Sequence, residues 1–230
     1  MPGDTKSTPR PEEMALAHYG VLGNRGIWSE NSYWSEVMAL LFWDVIFAKL
    51  RGVYSPALGE FPGRPQDMPH DFFSDDFYRK RVDMIRHRIR ELREIARVSQ
   101  SVRDSYFQNK GKPCRPIWNW DRYSVDSLCA GVDSVSKDQL FAIMNRLLVD
   151  FNHNRSGLPD LFFYSPKPLF VEVKASSDSL RGNQVEWLRF LAQTLRLPVE
   201  VLLADHTNTK IDSVKKLLAA EGFSITVART

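Results

Sequence analysis

Two carboxylates and an ammonium stand close together in the second half of the chain. Pro159-Asp160 is followed by eleven residues and then by Glu172-Val173-Lys174. The apolar runs 160–164 and 169–174 flank Ser165-Pro166-Lys167-Pro168 and read as two strands joined by a turn. Side chains alternate along a strand, so Glu172 and Lys174 share one face and Val173 takes the other. The hairpin can bring Asp160, at the mouth of its first strand, beside Glu172. Two carboxylates gathered with one ammonium are costly to bury, and a divalent cation relieves their repulsion. Oxygen donors suit Mg²⁺ or Mn²⁺ better than zinc. Such an ion polarises a phosphodiester and lowers the pKa of a bound water. Lys174 is then placed to orient or help deprotonate that water, or to offset charge on the phosphorane oxygens. The carbonyl of Val173 is a candidate extra ligand. A surface strand that merely carries a Glu and a Lys fits the same spacing.

The elements that must hold this hairpin are α/β in pattern. A helix over 180–195 has Trp187, Leu188 and Leu191 on its apolar face, and strands read over 199–204 and 223–228. A helix over 211–221 ends at Gly222, a residue suited to that place. The order is that of a mixed sheet flanked by helices. Upstream the chain reads as helical. An apolar helix spans 32–50, with Ser29 or Ser32 as cap, and a proline-rich loop follows it. A helix spans 74–98, with Val82, Ile85, Ile89, Leu92 and Ala96 on one face. The segment 106–124 reads as a loop, and 136–151 as an amphipathic helix capped by Ser134 or Ser136.

Charge is unevenly spread. The net charge is +3, but 79–103 holds nine Lys/Arg against three Asp/Glu, which is +6 and leaves the rest at −3. Arg79, Arg86, Arg90, Arg93 and Arg97 recur at helical spacing as a second stripe. That stripe is either a solvated face or a phosphate-contacting one. In the loop-like segment, Trp118, Trp120 and Tyr123 are either core residues, the preferred reading, or platforms for unpaired bases. Two cysteines exclude a disulfide framework, and five scattered histidines exclude an obvious zinc site. No apolar run is long enough for a membrane span. The polar N-terminal stretch lacks the apolar core of a signal peptide. It reads as a flexible tail over 1–19 on an intracellular protein.

The segments SGLPDLFFY, LFVEVK and NQVEWLRFL resemble the VRR-Nuc branch of the PD-(D/E)XK nucleases. Upstream, SENSYWSEVMALLFWDVIF, IWNWDRYS and LLVDFNHNRSGLPD are similar to the C-terminal nuclease region of the Fanconi-associated nuclease family. The resemblance runs from about residue 20 to 205. It implies a PD-(D/E)XK restriction-endonuclease-like core over 153–230. It also implies a helical region over 20–152 that carries an upstream metal-binding glutamate. Glu30 matches that glutamate, although a helix-start carboxylate needs no such role. Gln184 matches the helix-borne glutamine beside the site, and is otherwise a polar helix residue. Arg155, shortly before the motif, is a phosphate contact or a surface arginine.

The implied activity is structure-selective, metal-dependent hydrolysis of flap or branched DNA in DNA repair. The catalytic set is then Asp160, Glu172, Lys174 and Gln184. The metal set is Glu30, Asp160, Glu172 and Val173 with Mg²⁺ or Mn²⁺. Such a protein works where the DNA is: the nucleus of a eukaryote, or the cytoplasm of a bacterium or a virus-infected cell. Two alternatives stay open. One is a dimeric Holliday-junction resolvase. The other is a branched-DNA-binding subunit that does not cut, alone or with a separate repair partner.

Overall fold

A computed structural model describes residues 10–53, 67–175, 178–204 and 224–228. Two compact units emerge. One joins the residues up to Trp28 to those from Pro159 onward, and the other is Ser29–Leu158. This division differs from the expected boundaries, because the N-terminal stretch folds onto the sheet.

The first unit is built on a five-stranded sheet in the order β1-β2-β3-β4-β5. The strands are β1 (Arg25–Trp28), β2 (Leu161–Ser165), β3 (Leu169–Lys174), β4 (Val199–Ala204) and β5 (Ser224–Ala228). β1, β2 and β3 pair antiparallel, whereas β3, β4 and β5 pair parallel. Helix α1 (Pro11–Val21) occupies the stretch expected to be a tail. Its start is well formed, with Pro11 in the first turn followed by Glu12 and Glu13 at the positive helix end. Ala15 and Tyr19, four residues apart, pack on Leu161, Phe163, Val171, Val173 and Leu202. Two buried anchors in a polar sequence leave almost no periodic signal, so composition alone misreads the segment. The Tyr19 hydroxyl donates to Glu200 Oε2 at 2.5 Å. Burial, reinforced by that bond, raises the phenol far above its ordinary range.

β1 was not expected either. Gly26 interrupts its side-chain pattern, and its place in the sheet explains why. A Cβ at Gly26 would lie 2.3 Å from Phe163 Cδ1 and 2.7 Å from the Phe162 carbonyl oxygen. Only glycine admits the Phe163 ring at this bulged pairing.

The expected strands over 160–164, 169–174, 199–204 and 223–228 correspond to β2, β3, β4 and β5. The expected helix over 180–195 is α9 (Gly182–Arg189), continued by a π-turn over Phe190–Thr194. The expected helix over 211–221 and Gly222 lie outside the described residues.

The second unit is helical: α2 (Tyr33–Leu41), α3 (Trp43–Ile46), α4 (Asp76–Glu94), α5 (Val98–Asn109), α6 (Val125–Ser134), α7 (Lys137–Val149) and α8 (Phe151–Asn154). Every residue of α2 is buried, as expected for a helix apolar on most sides. Burying each large apolar side chain there contributes about 1.5–3 kcal/mol. The single helix expected over 32–50 breaks at Phe42, whose ψ of 24° leaves the helical region. The helix expected to reach residue 98 ends at Glu94 because Ile95 is extended. A new helix then runs to Asn109, into the segment expected to be a loop. Ser136, not Ser134, caps α7, with Gln139 completing a capping box.

Arg81 shows what charge counting hides. It is fully buried in the middle of the basic stretch. Its guanidinium forks onto Asp71 at 2.9 and 3.2 Å, and its Nε donates to the Val45 carbonyl at 3.1 Å. Arg81 is therefore an internal strut and adds nothing to the surface field.

Candidate active site

Three polar side chains on or beside the hairpin are almost out of solvent: Asp160 at 8 %, Glu172 at 0 % and Lys174 at 7 % exposure. Burial of charge at this level requires partners. The partners come from the hairpin itself and from α9.

The register explains the first meeting. Leu161 pairs with Val171, so one further step along the antiparallel ladder sets residue 160 opposite residue 172. Asp160, just ahead of β2, accepts a hydrogen bond at Oδ2 from the Val173 backbone amide at 2.7 Å. That amide fixes the carboxylate without spending a side chain. The Val173 side chain points into the cluster beneath α1, so Glu172 and Lys174 project from the opposite face.

The second meeting is with α9. Lys174 Nζ lies 2.7 Å from Glu172 Oε1 and donates to Gln184 Oε1 at 3.1 Å. Gln184 Nε2 donates to the same Glu172 oxygen at 2.5 Å. Gln184 also accepts the Arg181 backbone amide at 3.0 Å. Glutamine three residues past a helix cap is a capping position, and here its amide joins the helix start to the charged pair. The result is a closed triangle of carboxylate, ammonium and carboxamide.

An ammonium has three N–H donors, and among the described residues two are directed at Glu172 and Gln184. One remains to face an incoming group. The carboxylate bonds fix one oxygen of each acid. Two carboxylates with a nearby carbonyl form an all-oxygen donor set of the kind Mg²⁺ and Mn²⁺ accept, usually with several waters retained. No group of three His, Cys, Asp or Glu close enough to hold a metal ion occurs among the described residues.

The other expected residues fall in the helical unit. Glu30 is half-buried in the turn before α2, where its Oε1 accepts from Asn31 Nδ2 at 3.3 Å. Arg155 caps α8 and is exposed, with its guanidinium carbon 5.6 Å from the Phe73 ring centroid. Arg79, Arg86, Arg90, Arg93 and Arg97 are all exposed. Arg79 pairs with Asp76, Arg86 with Asp83 at 3.8 Å, and Arg93 with Asp138 at 2.6 Å. The stripe is thus real as a surface feature, with several of its members already tethered.

Sequence reasoning missed the main-chain clamp on Asp160 and the double role of Gln184. Neither had a side-chain signal, except that the glutamine stands three residues into the helix. It also did not separate the three loop aromatics. Tyr123 is buried, Trp120 is half-buried and Trp118 is 66 % exposed.

Known proteins resemble this chain over most of its length. Residues 94–206 match the VRR-NUC domain. The chain is 31 % identical over 194 residues to the Fanconi-associated nuclease 1 homolog of Schizosaccharomyces pombe, covering 83 % of this chain and 26 % of that protein. Against human Fanconi-associated nuclease 1 the identity is 33 % over 199 residues, covering 83 % of this chain and 19 % of the relative. The chain thus spans about a fifth to a quarter of the length of these relatives. The crystal structure of paFAN1 bound to 2-nucleotide 5′-flap DNA with a gap superposes with a TM-score of 0.76 at 27 % identity. The match covers 88 % of this chain and 36 % of that one. The fold is the PD-(D/E)XK-like α/β core with an added helical unit.

Proposed function

Because the chain carries a VRR-NUC domain and resembles the nuclease region of the Fanconi-associated nucleases, we propose that it is a structure-selective DNA nuclease acting on flap or branched DNA in DNA repair. The observation that carries the proposal is the buried Asp160–Glu172–Lys174–Gln184 cluster on a hairpin of this fold. A bound Mg²⁺ or Mn²⁺ supplies Lewis acidity to the phosphodiester and acidity to a water. Asp160, Glu172 and the Val173 carbonyl hold it in this proposal. Glu30 is a further ligand on the strength of the sequence resemblance alone.

The protein's own groups do the rest. Asp160, clamped by the Val173 amide, keeps its carboxylate in one orientation. Glu172 is held by Lys174 and Gln184, so neither acid reorganises when substrate arrives. Lys174 turns its remaining N–H toward the attacking water or a non-bridging phosphate oxygen, where negative charge grows as the phosphorus adds oxygen. Hydrolysis is balanced by one water: a new P–O bond forms, the bond to the leaving sugar oxygen breaks, and that oxygen is protonated. Gln184 is a positioning residue, because it acts through Glu172 and Lys174. The exposed arginines of α4 and its end, with Arg155, guide the DNA by its phosphates.

The test is cleavage of end-labelled 5′-flap, 3′-flap, four-way-junction and linear duplex DNA with Mn²⁺ or Mg²⁺, beside EDTA and Asp160→Asn. Cutting of flaps that requires the ion and disappears in Asp160→Asn is the expected result. Paired symmetric nicks in the junction, made by a dimer, would move the assignment to a resolvase. Tight binding of branched DNA without cutting under any ion would make the chain a binding subunit.

A further inference from the structure

Trp118 is displayed to solvent by a loop whose neighbouring anchors are buried. α5 ends at Asn109, and Gly111 turns the chain with φ 85°. The loop is then pinned. Trp120 Nε1 donates to the Lys112 carbonyl at 3.0 Å, and the Tyr106 hydroxyl to the Trp120 carbonyl at 2.8 Å. Cys114 and Ile117 are buried at 4 % and 3 % exposure. Between these anchors Trp118 remains 66 % exposed.

A cleft of about 510 Å³ opens here, and its lining includes Lys112, Pro113, Arg115, Ile117, Trp118 and Trp120. Cations surround it. The Arg122 guanidinium carbon lies 5.4 Å from the Trp118 ring centroid. Arg115 forks onto Asp67 at 2.9 and 3.1 Å, and Lys112 donates to Asn109 at 2.7 Å. Asp67 is the one acid of the lining, against Lys112 and Arg115 within it and Arg122 beside it.

We propose that Trp118 and this cleft receive an unpaired base from the single-stranded arm of the DNA substrate. An indole face takes any base, because every base has a π-face. A strand threading past it needs cations for its phosphates, which Lys112, Arg115 and Arg122 supply. An apolar protein segment would satisfy the indole but make no use of the excess of cations beside it. The inference rests on the nuclease reading and adds where the arm goes.

Binding in EDTA, which prevents cutting, tests it. Fluorescence anisotropy compares duplex DNA carrying an unpaired arm of about six nucleotides with the same duplex lacking the arm. The proteins are the wild type, Trp118→Ala and Trp118→Phe. Trp118→Ala should weaken binding of the armed DNA about tenfold and leave the armless DNA unchanged, with Trp118→Phe near wild type. Equal affinities for Trp118→Ala and wild type on armed DNA would overturn the proposal, as expected if the cleft serves a protein segment. Equal losses on both DNAs would also overturn it. Metal-dependent cutting by the same preparations, and its loss in Asp160→Asn, reports on the nuclease reading separately.

Discussion

Lys174 is the residue whose chemistry is most sharply defined by its surroundings. The residue is 7 % exposed, and its ammonium is held at 2.7 Å by Glu172 and 3.1 Å by Gln184. Lys174→Met keeps the stem and removes the charge. Metal-dependent cleavage should fall by at least about a hundredfold, on the scale of losing one preorganised donor in a water-excluded site. Thermal unfolding will show whether the variant stays folded. Retained cleavage in a folded Lys174→Met protein would remove the lysine from the mechanism. Gln184 acts differently, because it touches Glu172 and Lys174 and orients them. Gln184→Ala should lower kcat more than it raises KM, since Glu172 and Lys174 lose the amide that orients them. A change in KM alone would assign the glutamine to substrate binding.

Elements carry two further consequences. In α2, Glu36 is 2 % exposed, and its Oε1 has no hydrogen-bond partner among the described residues. Burial pushes its carboxyl up from 4.5 to about 8, with Arg122 pulling the other way. Between those values the folded chain keeps a proton that the unfolded chain has lost. The stabilising contribution is therefore full below about pH 4.5 and is lost as pH rises through about 8. Denaturant titrations from pH 5 to 8.5 should show wild-type stability declining, and Glu36→Gln should flatten that part of the decline. Identical slopes would mean that the carboxyl ionises freely in the folded protein. In β1, Gly26→Ala forces a methyl against the Phe163 ring and the Phe162 carbonyl. The expected cost is about 1–3 kcal/mol of stability in chemical denaturation. An unchanged midpoint would mean that β1 yields at its bulge.

For the molecule as a whole, the proposed function asks how a chain of net charge +3 would hold DNA. Part of the basic stretch is spent internally, because Arg81 is buried on Asp71. Arg79, Arg86, Arg90, Arg93 and Arg97 are exposed, and the ion pairs of this stripe are solvent-screened and weak. They can be exchanged for phosphates. Arg86→Ala and Arg90→Ala should each weaken duplex and flap binding alike and lower the slope of log affinity against log salt by about one. An unchanged slope would make the stripe a solvated face. Trp118 should behave oppositely, affecting only DNA with an unpaired arm.

The proposed catalytic carboxylates and the lysine were legible in the sequence because strand alternation is a local rule. Once 160–164 and 169–174 are strands, Glu172 and Lys174 must share a face. The α/β order of the second half followed from apolar periodicity in the same way. What tertiary structure decided was every partner supplied from a distance. It placed α1 on the sheet through two side chains in a polar stretch, and made Gly26 part of an unforeseen strand. It also took Arg81 out of the basic face and left Trp118 in solvent while burying Tyr123. Local sequence fixes which way a side chain leaves its own element. Whether it then meets an amide, a ring or water depends on residues far away in the chain, such as the 181 positions separating Tyr19 from Glu200.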